Sequence, residues 1–241
     1  MSRVDLHNHM LFGLDDGARD VAESVALAHA LAAAGWSDVV VTPHARPGLD
    51  PDDDQVAARL SDVQAALDAA GIALKLHHGR EHHLTPEFLD RVRAGRARGL
   101  GASKLLLVEL PFAAPVPNLG HAMFDLRRAG YRTLIAHPER CAHFVARPER
   151  AREVVENGGL LQLELGSLSG QHGGAAQRLA RELLDDDLVA VVATDLHHLP
   201  QVDELLGRGL EVLRRHVGPQ RLERLTGTAP RALLEERHVR R

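Results

Sequence analysis

Val4-Asp5-Leu6-His7-Asn8-His9 reads as a short buried strand that runs straight into two histidines. In an extended chain, residues i and i+2 point to the same side, so His7 and His9 can offer two imidazoles to one metal ion. An HxH pair alone is a weak signal, because surface histidines supply it easily. Its weight comes from recurrence. Thr42-Pro43-His44, Gly79-Arg80-Glu81, Val108-Glu109, Ala136-His137-Pro138 and Thr194-Asp195-Leu196-His197 each set a His, Asp or Glu just after a short apolar run.

Outward from these runs, the chain alternates strand-like and helix-like segments. Apolar, often β-branched runs predict strands at 4–6, 39–41, 73–76, 105–110, 133–136, 160–165 and 188–193. Ala/Leu/Arg-rich stretches with helical spacing predict helices at 19–34, 51–70, 86–95, 118–129, 148–157, 174–186 and 203–216. Asp50-Pro51 resembles an N-cap followed by proline at the first helical position, and Arg147-Pro148 starts another helix in a similar way. Gly35, Gly71, Gly130 and Gly158 stand where helices should stop before the next strand. Seven βα repeats without a break in composition predict one α/β domain spanning 1–241, with a parallel sheet that is closed or nearly closed. A C-terminal helical pair, about 219–225 and 229–237, would pack outside it.

Composition narrows the function. A chain of 241 residues suits a single α/β barrel and can bury a large core without disulfides. Its one cysteine, Cys141, rules out a thiolate zinc cage. A net charge of -4 offers no basic field for nucleic acid or a membrane surface. No apolar run approaches the ~20 residues of a membrane span. The N-terminus lacks a signal-peptide core, so a cytoplasmic enzyme is expected. Sixteen histidines are the outlier and favour metal chemistry.

In a β/α barrel the loops after the strands' C-terminal ends converge on one face, where active sites are built. His7/His9, His44, Glu81, Glu109, His137 and Asp195/His197 all lie at such ends, whereas His29, His121 and His216 fall on helices and read as surface or packing residues. Imidazole and carboxylate ligands without thiolates suit Zn, Mn, Fe or similar ions. Eight or nine ligands exceed the needs of one ion, so two or three ions bridged by a carboxylate are expected. Such a cluster lowers the pKa of a bridging water and clamps phosphoryl oxygens. Arg140, three residues after His137, could bind the phosphate. Leu165-Gly166-Ser167-Leu168-Ser169-Gly170 reads as a small polar loop able to offer backbone N–H groups to an anion.

At these residues the chain resembles the PHP (polymerase and histidinol phosphatase) superfamily, and within it the manganese-dependent tyrosine-protein phosphatases found with bacterial capsule and exopolysaccharide genes. The resemblance extends over about residues 4–198 and includes Asp15-Asp16-Gly17 and His137-Pro138-Glu139-Arg140, which are more particular to the phosphatase branch than HxH is. It implies a distorted (β/α)7 barrel, the PHP fold, holding three metal ions: manganese, or alternatively iron, zinc or cobalt. One ion would take His7, His9 and Asp195, with Glu81 bridging to a second held by Glu109 and His137. A third would take Asp16, His44 and His197, unless Asp15 serves as that ligand or caps the following helix. The implied activity is hydrolysis of phosphotyrosine on proteins by a metal-bridging hydroxide, regulating polysaccharide synthesis or export. A tyrosine kinase of polysaccharide export would be the partner, and oligomerisation is left open. One departure stands out. The family commonly carries an Arg-Pro pair shortly after the last DxH motif, but His197 is followed by His198-Leu199-Pro200-Gln201. Substrate phosphate would then rest on Arg140, on Ser167 and its loop, or on His198.

Three rival readings remain. Cys141 and Arg147 are spaced C-x5-R, as in cysteine-dependent tyrosine phosphatases, although the intervening Ala-His-Phe-Val-Ala has no glycine to wrap an oxyanion. A PHP phosphoesterase could act on a small ester such as histidinol phosphate. A non-catalytic metal-binding docking protein could keep the same ligands.

Overall fold

Pro43 and the Gly79-Arg80 pair stand just past two of the predicted strands, 39–41 and 73–76, and strand pairing resumes beyond each of them. The structure, a computed structural model, describes residues 2–236. Its strands are β1 (Arg3–Asp5), β2 (Trp36–Val41), β3 (His44–Ala45), β4 (Lys75–His78), β5 (Glu81–His83), β6 (Leu105–Glu109), β7 (Arg132–Ala136), β8 (Leu160–Glu164) and β9 (Val189–Ala193). All pairings are parallel, in the orders β1-β2-β4 and β3-β5-β6-β7-β8-β9. Proline has no N–H to give the ladder, so β2 stops before Thr42-Pro43 and pairing resumes with β3. The register carries across the breaks, since Val41 pairs with His78 and His44 with Glu81. The strands therefore form seven staves, two of them broken.

The two ends of this order meet between β1 and β9. A parallel bridge joins Asn8 to Leu196. The His9 N–H donates to the Leu196 carbonyl, and the Asp195 N–H to the His7 carbonyl, each at 3.0 Å. Asp5 reinforces the seam from inside a strand that reads as apolar. Its carboxylate accepts from the Thr194 N–H (3.0 Å), the Thr194 hydroxyl (2.5 Å) and the Asn8 amide (3.1 Å). Burial raises the Asp5 pKa even against these hydrogen bonds. The result is a distorted α/β barrel.

The helices are α1 (Val21–Ala33), α2 (Asp53–Ala69), α3 (Pro86–Arg93), α4 (Leu119–Arg128), α5 (Ala142–Val145), α6 (Glu149–Glu156), α7 (Leu165–Ser169), α8 (Gly173–Asp185), α9 (Leu210–Glu223) and α10 (Ala229–Glu235). Strand alternation splits the core in two. Val4, Leu6, Val40, Leu105, Leu107, Leu134, Ala136 and Val191 pack inside the staves. Their neighbours Val39, Val41, Leu106, Val108, Ile135, Leu161 and Leu163 pack outward against helix residues such as Leu27, Leu67, Phe144 and Leu183.

Three sequence expectations change. The α2 cap is Asp52, not Asp50: Asp52 and Gln55 form a reciprocal capping box at 2.8 and 2.9 Å. Asp50 instead pairs with Arg80 (2.5 Å) and Arg91 (2.8 Å), pinning the entry of α2 to the β4–β5 break. The expected loop at 165–170 is the helix α7, all five of whose residues are buried. Leu165 and Leu168 belong to the outer core, and their burial overrides a Gly/Ser composition that favours a loop. Finally, α10 does not merely lie outside. Leu234 joins the inner cluster, and Arg231 pairs with Asp38 near the start of β2 at 3.0 Å. This helix thus closes the strands' N-terminal end, opposite the candidate ligands, while Arg237 of the expected helix lies outside the described residues.

Candidate metal centre

Backbone strain marks two of the strand ends. His137 has φ +31° and Asp195 φ +52°, left-handed conformations that cost a non-glycine residue energy and concentrate at functional sites. Around them the strand ends bring the nine sequence candidates into four overlapping groups: His7/His9/Asp195, His9/Asp16/His44/His197, His7/Glu81/His137 and His44/Glu81/Glu109. In each group the donor atoms lie within 4.8 Å of one another. Glu81 sits at the middle, its carboxylate 3.3 Å from His7 Nε2, 3.4 Å from His9 Nε2, 2.8 Å from His44 Nδ1 and 3.0 Å from His137 Nε2. Asp195 Oδ1 lies 3.1 Å from His7 Nε2 and 3.3 Å from His9 Nε2. Glu109 and His137 share no group; each meets Glu81 separately.

These residues fit metal ions. The His7 and His9 Nε2 atoms face each other at 3.0 Å. His44 Nδ1 and Glu81 Oε2 are buried and close but lack the alignment of a hydrogen bond, and His137 Nδ1 is buried without a partner. Leaving such atoms unsatisfied is costly, and a bound cation removes that cost for those it ligates. The donors are imidazole and carboxylate throughout, as borderline to hard cations require.

Electrostatics follow from the crowding. Burial alone would push the His44 imidazolium down, but Asp16 and Glu81 hold it up, to about 9. Burial would likewise lower His9, yet Asp15 keeps it well above the usual histidine range. Burial would raise Glu81 and Asp195, but the surrounding imidazoles, His7 first, hold both well below the usual carboxylate range. A metal must displace the proton on His44, so uptake at pH 7 releases protons. Apparent manganese affinity is expected to climb as pH rises from 6 toward 9. Calorimetry in buffers of different ionisation enthalpy measures the release, and uptake independent of pH would refute it.

Several groups that orient the ligands are not evident from the sequence. Gln162 Oε1 lies 3.0 Å from His7 Nδ1, Asp15 Oδ2 2.7 Å from His9 Nδ1, the Asp195 carbonyl 2.8 Å from His197 Nδ1, and His83 Nδ1 2.9 Å from Glu109 Oε2. These contacts fix ring tautomers and directions, as partners behind metal ligands do. They also separate the two adjacent aspartates. Asp16 faces His44 and His197, whereas Asp15 orients His9 and accepts from the His44 and Gly17 N–H groups. The cap of α1 is Asp20. Gly17 is obligatory here because any Cβ would be driven into the His9 carbonyl oxygen. The only local signal for Gln162 was an amide between the leucines of its strand. Gln162→Ala is expected to weaken metal binding by about 10- to 100-fold, read by competition with a fluorescent chelator. Unchanged affinity would remove Gln162 from the site.

At the rim, Arg140 Nη1 donates to Glu164 and Asp195, both at 3.0 Å, and its guanidinium lies 4.6 Å over the Phe112 ring. His172 holds the other side of Glu164 at 2.7 Å. Arg46 approaches Asp16 at 3.5 Å and is partly exposed. Ser167 is fully buried in α7, and His198 lies 3.6 Å from Glu23 with its ring 6.2 Å from that of His197; neither is among the four donor groups.

The thiolate alternative does not survive the geometry. Cys141 is buried, its thiol pKa is pushed up by burial, and Arg147 is exposed. Cys141→Ser is expected to keep activity within about twofold, while a chelator abolishes it. Loss of turnover in the serine variant with metals still bound would reverse this conclusion.

The sequence pattern of the family described as "Capsular polysaccharide synthesis, CpsB/CapC" matches residues 3–235. The chain belongs to the CpsB/CapC family. Among its relatives, the tyrosine-protein phosphatase YwqE of Bacillus subtilis is 29% identical over 228 residues, covering 94% of this chain and 89% of YwqE. The tyrosine-protein phosphatase CpsB of Streptococcus agalactiae is 24% identical over 243 residues, covering 98% of this chain and all of CpsB. A crystal structure from work on YwqE of Bacillus subtilis and CpsB of Streptococcus pneumoniae, described as "unique metal-dependent tyrosine phosphatases", superposes with a TM-score of 0.89 at 28% identity, covering 99% of this chain and 96% of that one. Among the described residues, no helix is long and apolar enough to cross a membrane.

Proposed function

We propose that this CpsB/CapC chain is a metal-dependent protein-tyrosine phosphatase. The observation that carries the reading is the sharing of Glu81, His7, His9 and His44 among four donor groups, with Arg140 at their edge. Manganese is the metal we assign, in three sites: His7/His9/Asp195, Asp16/His44/His197, and one at Glu81 with Glu109 and His137, two residues that meet Glu81 separately and that the ion would have to draw together. When bound, the ions would supply an activated water nucleophile and neutralise charge on the phosphoryl oxygens.

The chain's own residues do the rest. Gln162 and Asp15 hold His7 and His9 aimed inward. Arg140 stands beside Asp195 and Arg46 beside Asp16, so each would offer a guanidinium to a phosphate held at the cluster. Arg46 takes the part of the arginine missing after His197. The substrate would be a phosphotyrosine protein in the cytoplasm, a tyrosine kinase of polysaccharide export being the expected partner. Turnover of a phosphotyrosine peptide, the matching phosphoserine peptide and histidinol phosphate with added manganese tests this. Preference for the phosphotyrosine peptide is expected. Preference for histidinol phosphate would replace the reading by a small-molecule phosphoesterase, and no phosphate release from any would favour a docking protein.

A further inference from the structure

We infer that Phe112 and the cleft it lines receive the aromatic ring of an aryl phosphate ester while Arg140 holds the phosphate; this rests on the reading under Proposed function. Phe112 follows Glu109 at the end of β6, on the catalytic face. It is 40% exposed, although the chain is only 3% aromatic and its large apolar side chains are mostly buried. The ring nevertheless has a defined place. Its centroid lies 5.3 Å from that of His137, the Arg140 guanidinium covers it at 4.6 Å, and the Phe112 carbonyl accepts from the Ala142 N–H at 2.8 Å.

Beyond the ring opens a cleft of about 440 Å³, lined by Phe112, Ala142, Val145 and Ala176 and equally by Glu139, Arg140 and His172. Val145 is 37% exposed. An open cleft with an arginine at the edge of the phosphate site and Phe112, Ala142, Val145 and Ala176 in its lining matches the order of a phosphotyrosine: anion first, then a flat hydrophobic ring. Arg140 joins the two, meeting Asp195 with one nitrogen and the Phe112 face with its plane. A phosphoserine has no ring to cover this surface, so only an aryl ester gains from the contact. Ring-on-ring packing of this kind is favourable beyond its area alone.

Phe112 is therefore a specificity residue, and its role is separable from support of Arg140. Phe112→Ala and Phe112→Leu are expected to lower kcat/KM for a phosphotyrosine peptide and for p-nitrophenyl phosphate by about five- to tenfold, mainly through KM. Hydrolysis of the matching phosphoserine peptide should stay within about twofold, and Phe112→Tyr should restore the aryl preference. A loss on the peptide alone, with p-nitrophenyl phosphate unaffected, would show that Phe112 reads the polypeptide and not the ring, and would overturn the inference. So would an equal loss on aryl and alkyl esters, which is what mere support of Arg140 produces, or no loss at all. These results leave the proposed function standing. Wild-type protein that turns over the alkyl ester but neither aryl ester would overturn both readings.

Discussion

Glu81→Gln is expected to cut phosphate release by about three orders of magnitude or more and to leave the purified protein short of at least one metal ion. The substitution preserves shape, so its effect reports charge and lone pairs. Glu81 meets four histidines drawn from three different strand ends, His7 and His9, His44, and His137. Among the described residues, no other carboxylate ligand meets as many histidines. A glutamine would keep one carbonyl oxygen but turn an NH2 donor toward imidazoles that must present lone pairs to a metal. Elemental analysis of protein prepared without chelators gives the metal content, and turnover is measured at saturating manganese. Full metal content with activity within tenfold of wild type would show that Glu81 is not the shared ligand. The Asp195 imidazole contacts would then be the alternative hub.

How much of this was legible beforehand depends on the range of the interaction. Each βα unit carries its own signal, because apolar runs and helical spacing are local. Predicted strands such as 133–136 and 105–110 thus fall within a residue of β7 and β6. Most candidate ligands were visible for the same reason, standing at or just past their strands; Asp16, eleven residues past β1, was reached only through the family resemblance. Partners that meet across the barrel left no such trace. Gln162 orients His7 from 155 residues away, and Asp5 ties β1 to Thr194 from 189 residues away. Asp5 had no role in the short buried strand read at 4–6, and only closure of the seam gives it one. The same holds for Arg46. The missing arginine after His197 read as a gap in phosphate binding, while a guanidinium from the β3 end lies 3.5 Å from Asp16. Composition misled at 165–170, where tertiary burial of two leucines outweighs glycine and serine.

Arg140→Ala is expected to lower kcat/KM on a phosphotyrosine peptide by about 10²- to 10³-fold, the usual consequence of deleting a donor aimed at a phosphoryl group. Arg140→Lys should recover only part, because an ammonium is a point charge and cannot form a planar fork. The geometry gives this variant a signature unlike that of Glu81→Gln. Only Nη1 is engaged by Glu164 and Asp195, which leaves the other terminal nitrogen for substrate. Without the guanidinium, Glu164 keeps His172 and Asp195 keeps His7 and His9, so neither carboxylate is stranded. Metal content should therefore match wild type while inhibition by inorganic phosphate weakens in step with kcat/KM. Activity within threefold of wild type, with phosphate inhibition unchanged, would move phosphate binding to Arg46. Loss of metal together with activity would make Arg140 a brace for Asp195 and not a substrate residue. Comparing Arg140→Ala with Arg46→Ala and the double variant settles how the two divide the phosphate. Independent contacts give losses that multiply, whereas two arginines gripping one phosphate as a unit give a double loss smaller than the product.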